Sequence, residues 1–232
     1  MNKATFVVFF GLYAASVQAS DLHASISGLE SEWTVAYYQK NEEEQKQIYS
    51  ALLEKAADLV KRHPEAAEPK IWYATIMTTN AGLQSSLAAL SAIDNAKALL
   101  EQAIKINPRA LDGAAYVTLG TLYYKVPAWP VSFGDNQIAE QLLKASLGIN
   151  PDGIDANYFY ADFLLQQDRE IEAENYFHKA MEAPIRKHQA FADTQLKNEA
   201  RQALEHVRLK KLNAGSNSRF MSLFATATYA DK

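Results

Sequence analysis

The sequence predicts an all-α fold of stacked antiparallel helix pairs, and three observations support this. Glycine and proline are sparse, at 9 and 7 of the 232 residues. Ala, Leu, Glu, Lys and Gln, which favour helices, dominate the middle of the chain. Small residues recur there at helical spacing, which lets two helices approach closely.

Composition also excludes several classes of function. The chain has no cysteine, which excludes a disulfide framework, a thiol nucleophile and a Cys-ligated metal. The net charge of −4 gives no support for nucleic-acid binding, which usually requires a basic patch. No two histidines are three or four residues apart, and no phosphate-binding glycine loop is present. We therefore expect no enzyme, no cofactor, no metal and no nucleic-acid partner.

The first nineteen residues have the pattern of a secretory signal peptide. Lys3 precedes an uncharged apolar stretch, and Val17 and Ala19 place small residues at the −3 and −1 positions of a cleavage site. The apolar stretch is shorter than the roughly 20 residues of a membrane-spanning helix. We predict cleavage after Ala19 and a periplasmic mature protein with no stable membrane insertion. A retained N-terminal anchor is the alternative.

The clearest helix pair runs from Ile154 to Pro184. Its small and aromatic residues match the 34-residue tetratricopeptide repeat (TPR) pattern, in which small side chains lie where two helices touch. These residues are Ala161, Ala173, Phe177 and Ala180. Ala173 and Ala180 are seven residues apart and therefore share one helical face.

Three further units precede this pair. The nearest places Tyr116, Leu119, Gly120 and Tyr123 in its first helix and Ala139, Leu143, Ser146 and Pro151 in its second. A Pro-rich insertion, residues 125–134, separates those two helices. A weaker unit has Ile71–Thr79, then a predicted insertion over 81–91, then Ala96, Leu100 and Ala103. A degenerate unit spans Trp33–Pro64, with Leu52, Ala56 and Leu59 on its packing face.

These units define three segments. Residues 1–19 are the predicted signal peptide. Residues 20–212 form a TPR-like α-solenoid that ends in a capping helix, Gln195–Leu212, because a solenoid needs a polar terminal element. Residues 213–232 form a tail, which either docks back onto the domain or has no fixed structure.

Three segments resemble a known family at residues beyond those that the general repeat pattern specifies. They are Glu68–Trp72, the run Ala114–Asp135 with its Val-Pro-Ala-Trp-Pro sequence, and Asn150–Leu165. Together they resemble exported bacterial TPR proteins related to the T component of TRAP (tripartite ATP-independent periplasmic) transporters. The resemblance implies a periplasmic helical protein that associates with a solute-binding protein, with a homo-oligomer as a further option. The lipid-anchored members carry a cysteine after the signal peptide, and this chain does not.

The groove-facing positions of the first helices are the predicted binding surface. They are Tyr73, Met77, Thr121, Tyr124, Asp155, Tyr158, Asp162 and Leu165. Tyrosine offers both apolar area and a hydroxyl, which suits a peptide or a small polar ligand. The alternative is that these tyrosines pack between helices.

The Pro-rich connector adds two large aromatic residues, Trp129 and Phe133. A connector of this length either carries function or packs against neighbouring helices, and both interpretations stay open. The first functional hypothesis is a non-enzymatic interaction scaffold beside a TRAP-type uptake system. The alternative is a small-solute-binding protein with a pocket formed by the groove and the 125–135 loop, including Trp129, Tyr124, Tyr158 and Asp162.

Overall fold

The computed structural model describes residues 7–208, with side chains described over 21–205. Within this range the chain forms nine α-helices: α1 (Val7–Gln39), α2 (Glu42–Arg62), α3 (Glu68–Ala81), α4 (Ser86–Ile106), α5 (Ala114–Lys125), α6 (Asn136–Ile149), α7 (Ile154–Gln166), α8 (Glu170–Glu182) and α9 (Ala190–Arg208). The predicted all-α solenoid is confirmed over these residues.

The helices form two layers. Each helix packs against the next in the chain, and the odd-numbered helices also contact one another in series, from α1 to α3 and on to α9. The odd-numbered helices therefore make an inner layer and the even-numbered helices an outer one. The ends of the inner layer meet, because the rings of Tyr38 on α1 and Phe191 on α9 have centroids 5.9 Å apart.

The residues predicted to pack between helices are buried. Ala161, Ala173, Phe177 and Ala180 are all fully buried, as are Ala96, Leu100 and Ala103 in the weaker unit. Leu52, Ala56 and Leu59 lie in the core between α1, α2 and α3. The repeat pattern therefore identified the helix-packing faces correctly.

Gly120 marks the closest approach of two helices. A Cβ atom at this position would lie 2.9 Å from the Cγ of Leu143 on α6 and 3.3 Å from the carbonyl oxygen of Ala139. The absent side chain lets α5 and α6 approach, as the small position of the repeat requires.

Helix ends follow local capping signals. The Asn41 side chain accepts from the backbone N–H of Glu44, whose carboxylate accepts from the Asn41 backbone N–H, a reciprocal capping box at the start of α2. Asp135 accepts from the backbone N–H groups of Gln137 and Ile138 and so fixes the start of α6.

Two predicted boundaries are wrong. The expected insertion over 81–91 is mostly helix, because α3 ends at Ala81 and α4 already begins at Ser86. The last helix, α9, begins at Ala190 rather than Gln195. Its apolar positions Leu196, Ala200 and Leu204 are buried as the predicted stripe requires.

The N-terminal and C-terminal segments stay predictions. Helix α1 continues through Ala19, where cleavage is predicted, to Gln39 without a break. The expected end of the capping helix at Leu212 and the tail, 213–232, lie outside the described residues. Among the described helices, none has both the length and the hydropathy needed to cross a bilayer.

Candidate functional site

A cavity of about 180 Å³ lies on the inner face of the solenoid and is partly open to solvent. All five odd-numbered helices contribute to its walls. Helix α3 supplies Trp72 and Thr75, α5 supplies Thr118 and Thr121, and α7 supplies Asp155, Ala156 and Phe159. Glu30 and Trp33 of α1 and Ala192 of α9 close the remaining sides.

The wall residues follow one rule of helix geometry. On α7 they are Asp155, Ala156 and Phe159, at i, i+1 and i+4, and on α5 Val117, Thr118 and Thr121 repeat that spacing. Residues three and four apart lie on one face of a helix. Each inner helix therefore presents one narrow face to the cavity, while its other faces build the core.

A left-handed turn brings two more residues to the cavity. Leu111, Asp112 and Gly113 have φ values of 47°, 56° and 83°, and the first two line the cavity. Left-handed backbone costs about 1–3 kcal/mol for a non-glycine residue and persists only where its surroundings hold it. Here the turn directly precedes α5, and the side chain of Ile149 packs against Gly113.

Arg186 is the one cationic side chain among the described residues that line the cavity, and it is already paired. Its guanidinium lies 2.8 Å from the carboxylate of Asp155 and also contacts Asp193. The Arg186 backbone N–H donates to Asp193 at 2.7 Å. Asp193 is only 1% exposed, whereas Arg186 and Asp155 remain partly exposed, so this ionic cluster holds the connection from α8 to α9 against α7 at the edge of the core.

Among the residues whose side chains are described, none forms a comparable ion pair with Glu30. Burial raises its pKa to about 7, while the charge of Arg186 and a hydrogen bond from Gln189 work to lower it. Asp155 and Asp193 raise it further. At neutral pH the Glu30 carboxyl is therefore poised between its protonated and ionised forms.

The arrangement has the parts of a binding site. Trp33, Trp72 and Phe159 supply apolar area beside Glu30 and Asp155. No group of three or more His, Asp or Glu side chains among the described residues is placed to hold a metal ion. An aromatic cavity with a few charged groups is the usual composition of a ligand site.

Two predicted groove residues reach the cavity. Thr121 and Asp155 both line it. Thr121 is fully buried and its hydroxyl donates to the Val117 carbonyl at 2.8 Å. Asp155 faces the cavity while paired with Arg186.

Tyr124 and Asp162 instead form a buried link between α5 and α7. The Tyr124 hydroxyl donates to Asp162 at 2.6 Å, and the Lys125 ammonium lies 2.9 Å from the same oxygen. Burial and the Asp162 charge raise the pKa of Tyr124 well above its usual value. Burial lowers the pKa of Lys125, although Asp162 opposes this. This cluster has the geometry of a structural cross-link.

The other predicted tyrosines also pack between helices. Tyr158 is 3% exposed, and its hydroxyl donates to Glu199 on α9 at 3.0 Å. Tyr73 and Met77 are half-buried, Tyr73 against the core of α1 and α2 and Met77 against the core of α3 and α4. The packing interpretation therefore describes Tyr124 and Tyr158, and their role in binding stays a prediction.

The two aromatic residues of the connector differ in their environment. Trp129 is 86% exposed, whereas Phe133 packs edge-on against Tyr123 at 5.0 Å and lies under the Lys97 ammonium at 5.3 Å. No residue of 125–135 lines the cavity on the inner face. Trp129 faces solvent while Tyr124, Tyr158 and Asp162 are covered, so these four do not form the shared pocket that was expected.

Sequence reasoning missed much of the cavity wall. Trp72, Thr75 and Phe159 could have been found from the i, i+1, i+4 faces of α3 and α7. Glu30, Trp33 and Arg186 give no such signal, because they reach the site only when α1 and the connection before α9 close over the groove.

Comparison with known proteins supports the fold. No protein-family model matches the sequence, and no curated protein does. The structure is similar to TTC0263, a thermophilic TPR protein of Thermus thermophilus, with a TM-score of 0.55 and 19% identity over 84% of this chain and 95% of that one.

Two other solved structures are less similar. MamA matches with a TM-score of 0.43 and 15% identity, over 75% of this chain and 96% of that one. Yeast Tom70 matches with a TM-score of 0.42 and 18% identity, over 91% of this chain and 47% of that one. Together with the buried repeat positions, the similarity to TTC0263 shows that this chain has the tetratricopeptide fold.

Proposed function

We propose that this protein is a non-enzymatic scaffold that binds a partner protein or peptide through the inner face of its solenoid. The observation that carries the proposal is the cavity bordered by α1, α3, α5, α7 and α9. Its wall residues Thr75, Thr118 and Phe159 are half-buried, so they remain available for contact. A site of this kind anchors one inserted side chain while the surrounding groove contacts the rest of the partner.

The proposal also includes the cellular location of this protein and the class of its partner. The signal-peptide pattern supports a periplasmic protein cleaved after Ala19. The resemblance to relatives of the TRAP T component supports a solute-binding protein as the partner.

A small-solute-binding protein is the second candidate, and the cavity volume favours it. An apolar cavity of about 150 Å³ holds a molecule the size of benzene. The 180 Å³ here would therefore accept a small solute or one side chain, but not a longer peptide segment.

Filling the cavity tests the proposal. Thr118→Trp places a large side chain in the wall, and Gln141→Trp makes the matched change on the exposed face of α6. Each variant, checked for unchanged helicity, is used to capture partners from periplasmic extract. We expect the wild type and Gln141→Trp to retain the same protein and Thr118→Trp to lose it.

Each outcome has a distinct meaning. A retained solute-binding protein supports the TRAP connection, and another retained protein supports the scaffold alone. Equal capture by all three forms would contradict use of the inner face. If none of the three forms captures a protein, and small solutes raise the melting temperature of the wild type, the solute-binding candidate is favoured.

A further inference from the structure

We propose that the inner cavity binds a primary ammonium group, presented by a lysine side chain of the partner or by a free alkylamine. This inference rests on the proposed function and specifies the chemistry of the same site. Three observations carry it: the balance of charge around the cavity, its aromatic walls and its volume.

The charge balance favours a cation. Among the described residues, the carboxyl groups of Glu30, Asp112 and Asp155 line the cavity with one cation, Arg186, and the buried Asp193 also pairs with Arg186. Arg186 is shared between Asp155 and Asp193, so it neutralises the charge of only one of them. The charge of Arg186 acts on Glu30 through space, without a hydrogen bond between the two side chains. Asp112 lines the same cavity. An anion would meet net repulsion here.

The aromatic walls also favour a cation. Trp33 and Trp72 lie with ring centroids 5.8 Å apart at an angle of 64°, and both line the cavity with Phe159. The face of an indole ring attracts an ammonium ion, and tryptophan does so most strongly of the aromatic side chains. The rings would also contact the methylene groups of an alkyl chain.

The volume limits what enters. About 180 Å³ accommodates one short alkyl chain with its charged head. Thr75, Thr118 and Thr121 add mildly polar side chains to the wall. A cation that pairs with Glu30 stabilises its ionised form. Binding therefore becomes tighter as the pH rises through the range in which Glu30 titrates, while a lysine ammonium, with a pKa near 10.4, stays charged.

Calorimetric titration tests the inference. The probes are a blocked Gly-Lys-Gly peptide, the same peptide with an acetylated lysine, and n-butylamine. Glu30→Gln removes the proposed partner of the cation, and Glu32→Gln changes an exposed carboxylate that pairs with Lys55 instead.

We expect the lysine peptide to bind and the acetylated peptide not to bind. Glu30→Gln should weaken binding by roughly tenfold, as for loss of one hydrogen bond to a charged group. Glu32→Gln should have no effect, and affinity should be higher at pH 8 than at pH 5.5. Butylamine that binds as well as the peptide identifies a free amine as the source, and weaker binding identifies the lysine residue.

Equal binding of both peptides, equal losses in both variants or no binding by the wild type would overturn the inference. A different result separates the proposed function from this inference. If a captured partner is lost by Thr118→Trp but retained by Glu30→Gln, the inner face is used without recognition of a cation.

Discussion

The guanidinium of Arg186 lies 2.8 Å from the carboxylate of Asp155, and this pair joins the connection between α8 and α9 to the first turn of α7. Arg186 is partly buried, which lowers its pKa, but the carboxylates of Asp155 and Asp193 outweigh this effect and raise the pKa above its ordinary value. The pair closes one side of the inner cavity. Stability and the candidate site therefore depend on the same contact.

Arg186→Ala should destabilise the fold strongly. It leaves the 1% exposed Asp193 without its cation, and breaking a buried ion pair costs about 3–5 kcal/mol. Urea unfolding measures the loss. Arg62→Ala is the control, because Arg62 pairs with Asp58 while both side chains are about half-exposed or more, and such pairs contribute about 0–1 kcal/mol. Similar losses in the two variants would contradict the buried cluster.

Gly120→Ala should destabilise the α5–α6 pair. The new methyl group would lie 2.9 Å from the Cγ of Leu143, and overpacking of this kind costs about 1–3 kcal/mol. Gly148→Ala on α6 is the matched control, since a Cβ there meets no atom within 4 Å. Alanine is the better helix former, so this control should gain about 0.5–1 kcal/mol. Thermal unfolding compares them, and a stabilised Gly120→Ala would refute the close approach.

Trp129→Ala and Phe133→Ala should separate the two interpretations of the connector. Trp129 is 86% exposed, so its loss should change stability by no more than about 0.5 kcal/mol. Phe133 is half-buried and packs on Tyr123, so its loss should cost more, about 1–3 kcal/mol. Denaturant unfolding provides both values. If Trp129→Ala also abolishes partner capture at unchanged stability, the exposed end of the connector is a binding contact.

Glu30→Gln should remove a pH dependence of stability. The folded pKa of Glu30 is raised to about 7 from its ordinary value of 4.5, so the folded state holds its proton more tightly than the unfolded state. Glu30 therefore lowers stability as the pH rises from about 4.5 to 7. Because the group is only partly buried, we expect an effect of about 1–2 kcal/mol after discounting for solvent screening.

The measurement is the urea midpoint at pH 5 and pH 8. Glu30→Gln should be more stable than the wild type at pH 8 and similar to it at pH 5. Glu32→Gln, on the exposed side of α1, should follow the wild type at both values. An unchanged difference between the two pH values in Glu30→Gln would show that Glu30 does not titrate in this range.

Helix packing was predictable because it depends on local spacing. Ala173 and Ala180 share a face, and both are fully buried. Boundaries were less predictable, since α4 begins at Ser86 inside a stretch that looked like an insertion. Helical propensity continues through Leu87 to Leu90, and the repeat pattern does not specify helix length.

The candidate site was predictable only in part. Thr121 and Asp155 follow from helix register and do line the cavity. Tyr124 and Asp162 also face a neighbouring inner helix, but their buried side chains are hydrogen-bonded to each other. Glu30 and Arg186 are far apart in sequence and meet only after the solenoid closes, so no local pattern indicates their proximity.

The most direct test of the inner-face proposal is site-specific photocrosslinking in periplasmic extract. A photoreactive phenylalanine derivative replaces Thr118 in the cavity wall or, in the matched control, Gln141 on the outer face of α6. We predict one dominant covalent adduct from position 118 and none of that mass from position 141. Adducts of the same mass from position 141 alone, or from both positions equally, would contradict binding through the cavity face.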